Sequence, residues 1–207
     1  MRTNEPCADV YEAAACASAN VRPMEEVPRV VATRRCFDGS VFGVRSDTVA
    51  YSDGAQHRVD VVEHGLSIAI VATPSVGELV LVRQYRHAAG ACLWELPAGT
   101  AGRDEPALDA AKRELREETG YAAARIEPIG TIWTTPGFCD EAMQLFHADG
   151  LSAGAQALDA DERIDVEIFE LEAAWRLVAD GTADAKTLLA LFWLQGERRE
   201  FGRIVPR

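Results

Sequence analysis

The chain has 207 residues, 48% of them hydrophobic and 26% charged, which fits one globular domain with a short additional element. Its formal net charge of −12, without a dense run of lysine or arginine, disfavours binding to nucleic acids and anionic membranes. No apolar run approaches the roughly 18 residues of a membrane helix. The five cysteines have no paired spacing, so a reduced, cytoplasmic compartment is expected.

The first part of the chain carries weak signals. Residues 1–30 have no sustained periodicity and are expected to form a loosely ordered leader. Short β-like runs follow at 41–44 and 48–51, and Ser52-Asp53-Gly54 then favours a turn. Residues 31–57 are therefore predicted to form a small N-terminal β element, and residues 58–207 the main domain.

The main domain begins with apolar runs that predict core strands, at 59–62, 67–72, 79–83 and 93–96. Pro97-Ala98-Gly99 is expected to end regular structure and open a loop. Strand patterns resume at 131–133, 143–148 and 164–171, and helical patterns close the chain at 172–179 and 183–195. Strands alternating with isolated helices indicate an α/β fold with a mixed sheet and helices on both faces.

The clearest helix begins near Pro106, which suits the first helical turn, and ends at Gly120, which suits a C-terminal cap. Leu108, Ala111 and Leu115 recur at helical spacing. They are expected to form its buried apolar stripe.

Three carboxylates share a face of this helix, because Glu114, Glu117 and Glu118 stand at i, i+3 and i+4. Taken alone, the pattern describes either a solvated acidic face or a cation site. The negative charge of the whole chain would repel a diphosphate unless cations and a few arginines reversed it locally. Any phosphate site here is therefore expected to hold a cation.

The residues around the helix have a fixed spacing. Gly99 is followed after five residues by Glu105, and after seven more by Arg113-Glu114-Leu115-Arg116-Glu117-Glu118-Thr119-Gly120-Tyr121. This is similar, at every specified position, to the Nudix box G-x5-E-x7-R-E-U-x-E-E-x-G-U, in which U is a bulky apolar residue. The chain thus resembles the Nudix hydrolase superfamily, which implies an α/β/α sandwich with a mixed sheet beyond the N-terminal β element.

The resemblance also implies a set of metal ligands. The carbonyl of Ala98 or Gly99 would join Glu114 and Glu118 around one ion, and Glu117 would bind or bridge a further ion. Magnesium prefers such oxygen ligands, manganese can replace it, and two or more ions are expected.

Two further features bear on catalysis. Arg113 lies one helical turn before Glu117 and can neutralise and orient it, the alternative being an ordinary surface ion pair. In the family, an acidic loop supplies a carboxylate that activates the attacking water or binds metal. Residues 159–166 form the acidic loop of this chain, and Glu162 is the best match for that carboxylate. Ala160 replaces an acid of many relatives, so Asp159 or Asp161 can share the task. A merely solvated acidic loop is the alternative.

The flanking segments resemble the ADP-ribose pyrophosphatase branch, which reads V-R-Q-Y-R and W-E-L-P-A-G where this chain has residues 82–86 and 94–99. That branch also carries a proline at the offset of Pro136, 16 residues beyond Gly120. Arg86 would grip a substrate phosphate, and a surface pair with Glu95 is the alternative. The remaining substrate contacts implied by the resemblance are Arg83, Glu95, Pro136 and Glu141.

These features predict metal-dependent hydrolysis of a small nucleoside-diphosphate sugar, with ADP-ribose giving AMP and ribose 5-phosphate. The resemblance further implies a homodimer, domain-swapped through the N-terminal β element. GDP-mannose or another nucleotide sugar is the nearest alternative substrate. A non-catalytic ADP-ribose-sensing module is the alternative of another class, and the complete set of box carboxylates disfavours it.

Overall fold

A computed structural model of the chain describes residues 26–160 and 162–198. Its described part contains ten strands: β1 (Arg29–Asp38), β2 (Gly43–Ala50), β3 (Gln56–Glu63), β4 (Ser67–Thr73), β5 (Glu78–Arg86), β6 (Ala91–Glu95), β7 (Ala98–Thr100), β8 (Tyr121–Trp133), β9 (Ala142–Ala153) and β10 (Ile164–Glu170). Three helices accompany them: α1 (Ala107–Thr119), α2 (Leu171–Ala179) and α3 (Ala185–Arg198). The mixed α/β class expected from the sequence is confirmed.

The strands form three sheets, in the orders β1-β2-β3, β10-β5-β6 and β7-β4-β9-β8. The pairing of β4 with β9 is parallel, and β4 also pairs with β7 in the antiparallel direction. The sheet that contains β4 is therefore mixed, as predicted.

Strand β4 lies between two hydrophobic clusters. Ile68 and Ile70 on one of its faces pack in a cluster with Ala111 and Leu115 of α1. Ala69 on the other face packs in a cluster that includes residues of α2 and α3. Successive side chains of a strand point to opposite faces, so the continuous apolar run at 68–72 of β4 supplies both clusters. The central strands consequently lie between a layer with α1 and a layer with α2 and α3.

The chain divides into two compact units. One comprises the described residues up to Arg34 together with Ser46–Val59. The other comprises Arg35–Arg45 and the described residues from Asp60 onward. The helices lie in this second unit, as do all residues assigned to the site from sequence that the structure describes.

Helix α1 differs in two details from the expectation. Pro106 is the N-terminal cap rather than a residue of the first turn, while Gly120 caps the C-terminus in the left-handed conformation with φ 76°. Leu108 is exposed, so its place in the buried stripe is wrong. The buried face instead combines apolar residues with Glu114 and Glu118. Hydrophobic periodicity placed Leu108 on the buried face because it counts only apolar residues. It cannot predict that carboxylates are buried on that face instead.

Several strand boundaries also differ. Residues 98–100 form strand β7 rather than a loop, since their backbone groups pair with β4. Strand β1 begins at Arg29, within the predicted leader, whose residues 1–25 lie outside the described part. The two runs at 41–44 and 48–51 overlap the two ends of one strand, β2, which begins at Gly43 and ends at Ala50. Strand β8 begins at Tyr121, ten residues before the predicted 131.

Candidate active site

Helix α1 turns two carboxylates toward the protein interior. Glu114 is 8% exposed and Glu118 is 4% exposed, on the same side as the fully buried Leu115. Glu117 lies nearer the surface, with 38% of its side chain exposed. Residues four apart lie on one face of a helix, so Glu114 and Glu118 come together while Glu117 stands at the margin.

Strand β7 approaches this face closely. The Ala98 N–H donates a hydrogen bond to Glu118 Oε2 at 2.9 Å. At Gly99, a Cβ atom would lie 2.1 Å from the carboxyl carbon of Glu114, a distance that atoms do not tolerate. Glycine at position 99 therefore permits the strand and the carboxylate to share this space.

Arg113 is the centre of an ion-pair network. Its Nε and Nη2 donate to the two carboxylate oxygens of Glu105, at 2.8 and 2.9 Å. Its Nη1 donates to Glu114 at 2.8 Å and to Glu117 at 3.0 Å. The planar guanidinium thus joins three carboxylates and fixes their orientation.

The environment divides the acidic residues into two kinds. Hydrogen bonds from Arg113, and then from the Gly102 N–H, lower the pKa of Glu105 to about 2. Burial raises the pKa of Glu118 to about 8 against the opposing hydrogen bond from Ala98, and nearby Glu114 and Glu162 add to the rise. Burial also raises the pKa of Glu114. The protein therefore only partly compensates a negative charge at the interior end of the site, so the protonated form of Glu118 is favoured there.

This donor set fits a divalent cation. No group of three or more His, Cys, Asp or Glu side chains within residues 26–160 and 162–198 is arranged to hold a metal. Magnesium, however, is commonly held by one or two carboxylates with water and substrate phosphates completing its shell. The buried carboxylate of Glu118, whose charge the protein compensates only partly, could hold a cation in this way together with the adjacent Glu114.

The acidic loop has its own internal hydrogen bonds. The Asp159 N–H donates to Glu162 Oε2 at 2.9 Å, and the Glu162 N–H donates to the Asp159 carbonyl at 3.0 Å. The charge of Glu162 contributes to the raised pKa of both Glu114 and Glu118, which locates it near the helix carboxylates. Asp161, the other predicted helper, lies outside the described residues.

The loop is also fastened to the end of α1. The Gln156 side-chain amide donates to the Glu118 carbonyl at 2.5 Å, and the Ala157 N–H donates to the Glu117 carbonyl at 3.0 Å. These bonds satisfy carbonyls that the helix terminus leaves without partners. The sequence interpretation missed Gln156, whose isolated amide carries no recognisable motif.

The predicted alternative partner of Arg86 is present. Arg86 Nε and Nη2 donate to Glu95 Oε1 and Oε2 at 2.6 and 2.8 Å. Burial raises the pKa of Glu95, but Arg86 and Lys186 outweigh that effect and hold the pKa below its usual value. The Arg86 side chain remains 43% exposed, and the pair leaves Nη1 out. The ion pair is thus compatible with a further contact to a phosphate.

Arg83 points away from Arg86. The two residues stand an odd number of positions apart in β5, so their side chains project from opposite faces. Arg83 lies over the Trp94 ring, 6.0 Å from its centroid. The two arginines predicted as substrate contacts are therefore not brought together on one face.

The segment between β8 and β9 contains the other predicted substrate contacts. Pro136 is exposed in a turn. Glu141 accepts hydrogen bonds from Ser67 Oγ at 2.5 Å and Thr134 Oγ1 at 2.6 Å. Both carboxylate oxygens of Glu141 thus have protein partners that anchor this segment to β4.

The sequence interpretation also missed Lys186 at the start of α3. Its Nζ lies 2.5 Å from Glu95 Oε2 and contacts the Asp184 carboxylate. Asp184 accepts a hydrogen bond from the Thr187 N–H at 3.0 Å, the geometry of an N-terminal helix cap. An aspartate three residues before a threonine at a helix start was the available signal, although it does not indicate Glu95 as a partner.

Two further observations concern the surroundings of the protein. None of the helices in the described ranges is both long and apolar enough to span a membrane. Of the described cysteines, Cys92 and Cys139 are free thiols.

The chain was compared with known proteins. A family model described as the NUDIX domain matches residues 63–192. The chain is 33% identical over 178 residues to the ADP-ribose pyrophosphatase of Bacillus subtilis (strain 168), covering 84% of this chain and 95% of that protein. It is 33% identical over 170 residues to the methanol dehydrogenase activator of Bacillus methanolicus, covering 81% and 92%.

A shorter match reaches higher identity. The ADP-ribose pyrophosphatase of Mycobacterium tuberculosis (strain ATCC 25618 / H37Rv) is 40% identical over 124 residues, covering 58% of this chain and 59% of that protein. A crystal structure of an ADP compounds hydrolase superposes with a TM-score of 0.75 at 20% identity, covering 89% of this chain and 100% of that one. At that identity the superposition demonstrates a common fold.

Proposed function

Because the chain belongs to the NUDIX family, we propose that it hydrolyses the diphosphate bond of a nucleoside-diphosphate sugar with the help of divalent cations. ADP-ribose is the proposed substrate, and AMP and ribose 5-phosphate are the products. The observation that carries this proposal is the similarity to the Bacillus subtilis ADP-ribose pyrophosphatase over 95% of its length. The complete set of box carboxylates on α1 supports it.

The proposed ligands are the carboxylates of Glu114, Glu117 and Glu118 with the Ala98 carbonyl, and Glu162 as a ligand or as the base. We propose Mg²⁺, replaceable by Mn²⁺, in two or more positions. When bound, these ions neutralise the diphosphate and make a water molecule more acidic. Buried, under-compensated Glu118 and adjacent Glu114 support this set, since cations relieve the repulsion between them.

In the proposed reaction, Glu162 accepts a proton from the attacking water while a new bond forms between the water oxygen and a phosphorus atom. The bond from that phosphorus to the bridging oxygen breaks, and the leaving phosphate takes up the negative charge. Arg86 binds a substrate phosphate through Nη1 while Glu95 holds its other nitrogens. Arg113 keeps Glu114 and Glu117 in position through the fork on Glu105.

We also propose roles in substrate binding for Arg83, Pro136 and Glu141, with changes to those of Glu141 and Arg83. Glu141 supports the segment of Pro136 through Ser67 and Thr134, so we assign it the placement of that segment. Arg83, on the opposite face of β5 from Arg86, would meet a different part of the substrate.

We further propose a cytoplasmic homodimer. The free thiols of Cys92 and Cys139 agree with a reducing compartment. In one unit Val30, Val31 and Val59 are exposed, and in the other Phe37 and Phe42 are exposed. Exposed apolar side chains in this part of the chain favour burial by a second copy of the chain. Light scattering of the purified protein measures the oligomeric state.

A substrate panel tests the proposed function. The purified protein, with Mg²⁺ or Mn²⁺, is offered ADP-ribose, GDP-mannose and other nucleotide sugars, and the nucleoside monophosphate and sugar phosphate are quantified. ADP-ribose is expected to give the highest kcat/KM. Higher kcat/KM with GDP-mannose would replace the substrate, and tight binding of ADP-ribose without hydrolysis would support the sensing module instead.

A further inference from the structure

Lys186 is one of only two lysines in a chain with 21 lysines and arginines. Its side chain is 10% exposed, and its Nζ lies 2.5 Å from Glu95, whose side chain is 3% exposed. Lysine is strongly hydrated and rarely buried unless it is paired. The buried position of Lys186 therefore depends on its carboxylate partners, Glu95 and Asp184.

The two cations on Glu95 have different surroundings. Arg86 reaches Glu95 from β5 with 43% of its side chain exposed. Lys186 reaches the same carboxylate from α3, and Asp184 is its second partner. Two carboxylates and two cations thus form a neutral cluster in which Lys186 is the deep member and Arg86 is the member open to solvent.

The start of α3 is fixed against strand β6. The Leu96 N–H donates to Thr187 Oγ1 at 3.2 Å, and the Trp94 N–H donates to the Thr182 carbonyl at 2.8 Å. Thr187 Oγ1 also lies 2.7 Å from the Asp184 carboxylate. These bonds fix the backbone of Lys186 relative to strand β6, which contains Glu95.

We propose that Lys186 is a positioning residue for substrate binding, acting on Arg86 through Glu95. Lys186 shares the charge of the buried carboxylate, so that Arg86, although paired with Glu95 through Nε and Nη2, keeps part of its positive charge for a substrate phosphate. The Arg86 guanidinium then keeps Nη1 directed at a substrate phosphate. This inference rests on the proposed function, because it assigns Lys186 to the phosphate contact of that site.

Charge balance predicts the effect of removing the Lys186 ammonium group. In Lys186→Met, Glu95 retains Arg86 as its cation and remains buried, so the arginine compensates it alone. The positive charge that Arg86 presents to a substrate phosphate is then smaller, although the ion pair with Glu95 keeps its geometry. KM is expected to rise about 5- to 20-fold while kcat stays within about threefold, the range of a coupling between adjacent charged groups.

A double-mutant cycle distinguishes this role from a merely structural one. Lys186→Met is introduced into the wild type and into Arg86→Ala, and KM is measured for all four proteins. If Lys186 acts through Arg86, its substitution should change KM in the wild type and have almost no effect in Arg86→Ala. Lys186→Arg should restore part of the affinity because it restores the charge. Lys112→Met is the matched control, since Lys112 pairs with Asp109 on the exposed side of α1 with 56% of its side chain exposed.

Thermal unfolding and ligand binding complete the test. If Lys186→Met does not fold, the cycle is repeated with Lys186→Gln, which keeps a polar partner for Glu95. The same cycle is measured as the Kd of ADP-ribose by calorimetry without metal, so that it does not depend on turnover. Equal effects of Lys186→Met with and without Arg86 would overturn the positioning role. Absence of hydrolysis in the wild type, with the coupling in Kd intact, would overturn only the proposed function.

Discussion

Gly99 lies so close to Glu114 that a Cβ atom on the glycine would stand 2.1 Å from the carboxyl carbon. Gly99→Ala is therefore expected to displace Glu114 and lower kcat/KM at least about tenfold, because small displacements of catalytic groups have large effects on rate. Steady-state kinetics measures the change, with circular dichroism to verify the fold. Gly130→Ala is the control, since nothing lies within 4 Å of a Cβ there. Equal activity of the two variants would contradict the argument.

Glu118→Gln is expected to lower turnover by orders of magnitude without unfolding the protein. The substitution keeps the shape of the side chain and an acceptor for the Ala98 N–H, but it removes the charge proposed to bind metal. Glu117→Gln should also lower turnover strongly. Glu127→Gln, on a carboxylate 61% exposed, serves as the control. Near-normal rates of both box variants at saturating Mg²⁺ would refute the assignment of these ligands.

The pH dependence of stability provides an independent test of Glu118. Its pKa is raised from 4.5 to about 8, so its ionisation opposes folding. The stability associated with its neutral form is complete below about pH 4.5 and is lost as the pH rises through about 8. Without metal, Glu118→Gln should therefore gain melting temperature relative to the wild type between pH 5 and 8.5. A gain of at least about 4 °C is expected.

Added Mg²⁺ should close most of that difference, because it stabilises the ionised carboxylate of the wild type and has less effect on the glutamine variant. Differential scanning fluorimetry at both pH values, with EDTA or Mg²⁺, measures the four conditions. A difference in melting temperature that does not depend on pH would show that Glu118 is ionised without penalty.

Arg86→Ala is expected to lower kcat/KM about 10- to 100-fold, the range for loss of a charge-assisted contact with phosphate. Arg86→Lys should recover only part, since an ammonium group cannot pair with both oxygens of Glu95 and also reach the substrate. Arg83→Ala, on the opposite face of β5, is the comparison. If kcat/KM of Arg86→Ala is unchanged for every nucleotide sugar, Arg86 does not bind the substrate and serves only as the ion-pair partner of Glu95.

Glu162→Gln distinguishes a base from a ligand. If Glu162 is the base, the substitution should lower kcat strongly and leave KM within a few-fold of the wild type. If Glu162 is a metal ligand, the substitution should raise the Mg²⁺ concentration required for half-maximal rate. Asp159→Asn should have the smaller effect, because Asp159 contacts Glu162 through its backbone N–H and carbonyl, which the substitution retains. The reverse order of effects would transfer the catalytic role to Asp159.

Local sequence patterns predicted the parts of the molecule that depend on local chemistry. The helix from Ala107 to Thr119 and its cap at Gly120 are explained by periodicity and by the conformational freedom of glycine. The fixed spacing of the box identified Gly99, Glu105 and Arg113 as members of one motif. The structure adds the close contact of Gly99 with Glu114 and the fork between Arg113 and Glu105.

The parts that depend on distant partners were missed. Strand β7 exists because Ala98 pairs with Ala69, which no pattern within Pro97-Ala98-Gly99 reveals. Lys186 meets Glu95 across 91 positions of sequence, and Gln156 meets the carbonyl of Glu118 across 38. The roles of such side chains cannot be predicted from the local sequence, because their partners are known only once the fold is known.

The parallel pairing of β4 with β9 has a consequence for how the protein folds. Ser67 pairs with Met143, so helix α1, strand β7 and the whole ion-pair network of Arg113 lie in the loop that this pairing closes. Closing such a loop is entropically costly and slow compared with forming a helix. The carboxylates of helix α1 are therefore not buried in their native environment until strands β4 and β9 have paired. We therefore expect enzymatic activity to return during refolding only when the central sheet is complete, later than the first helical structure.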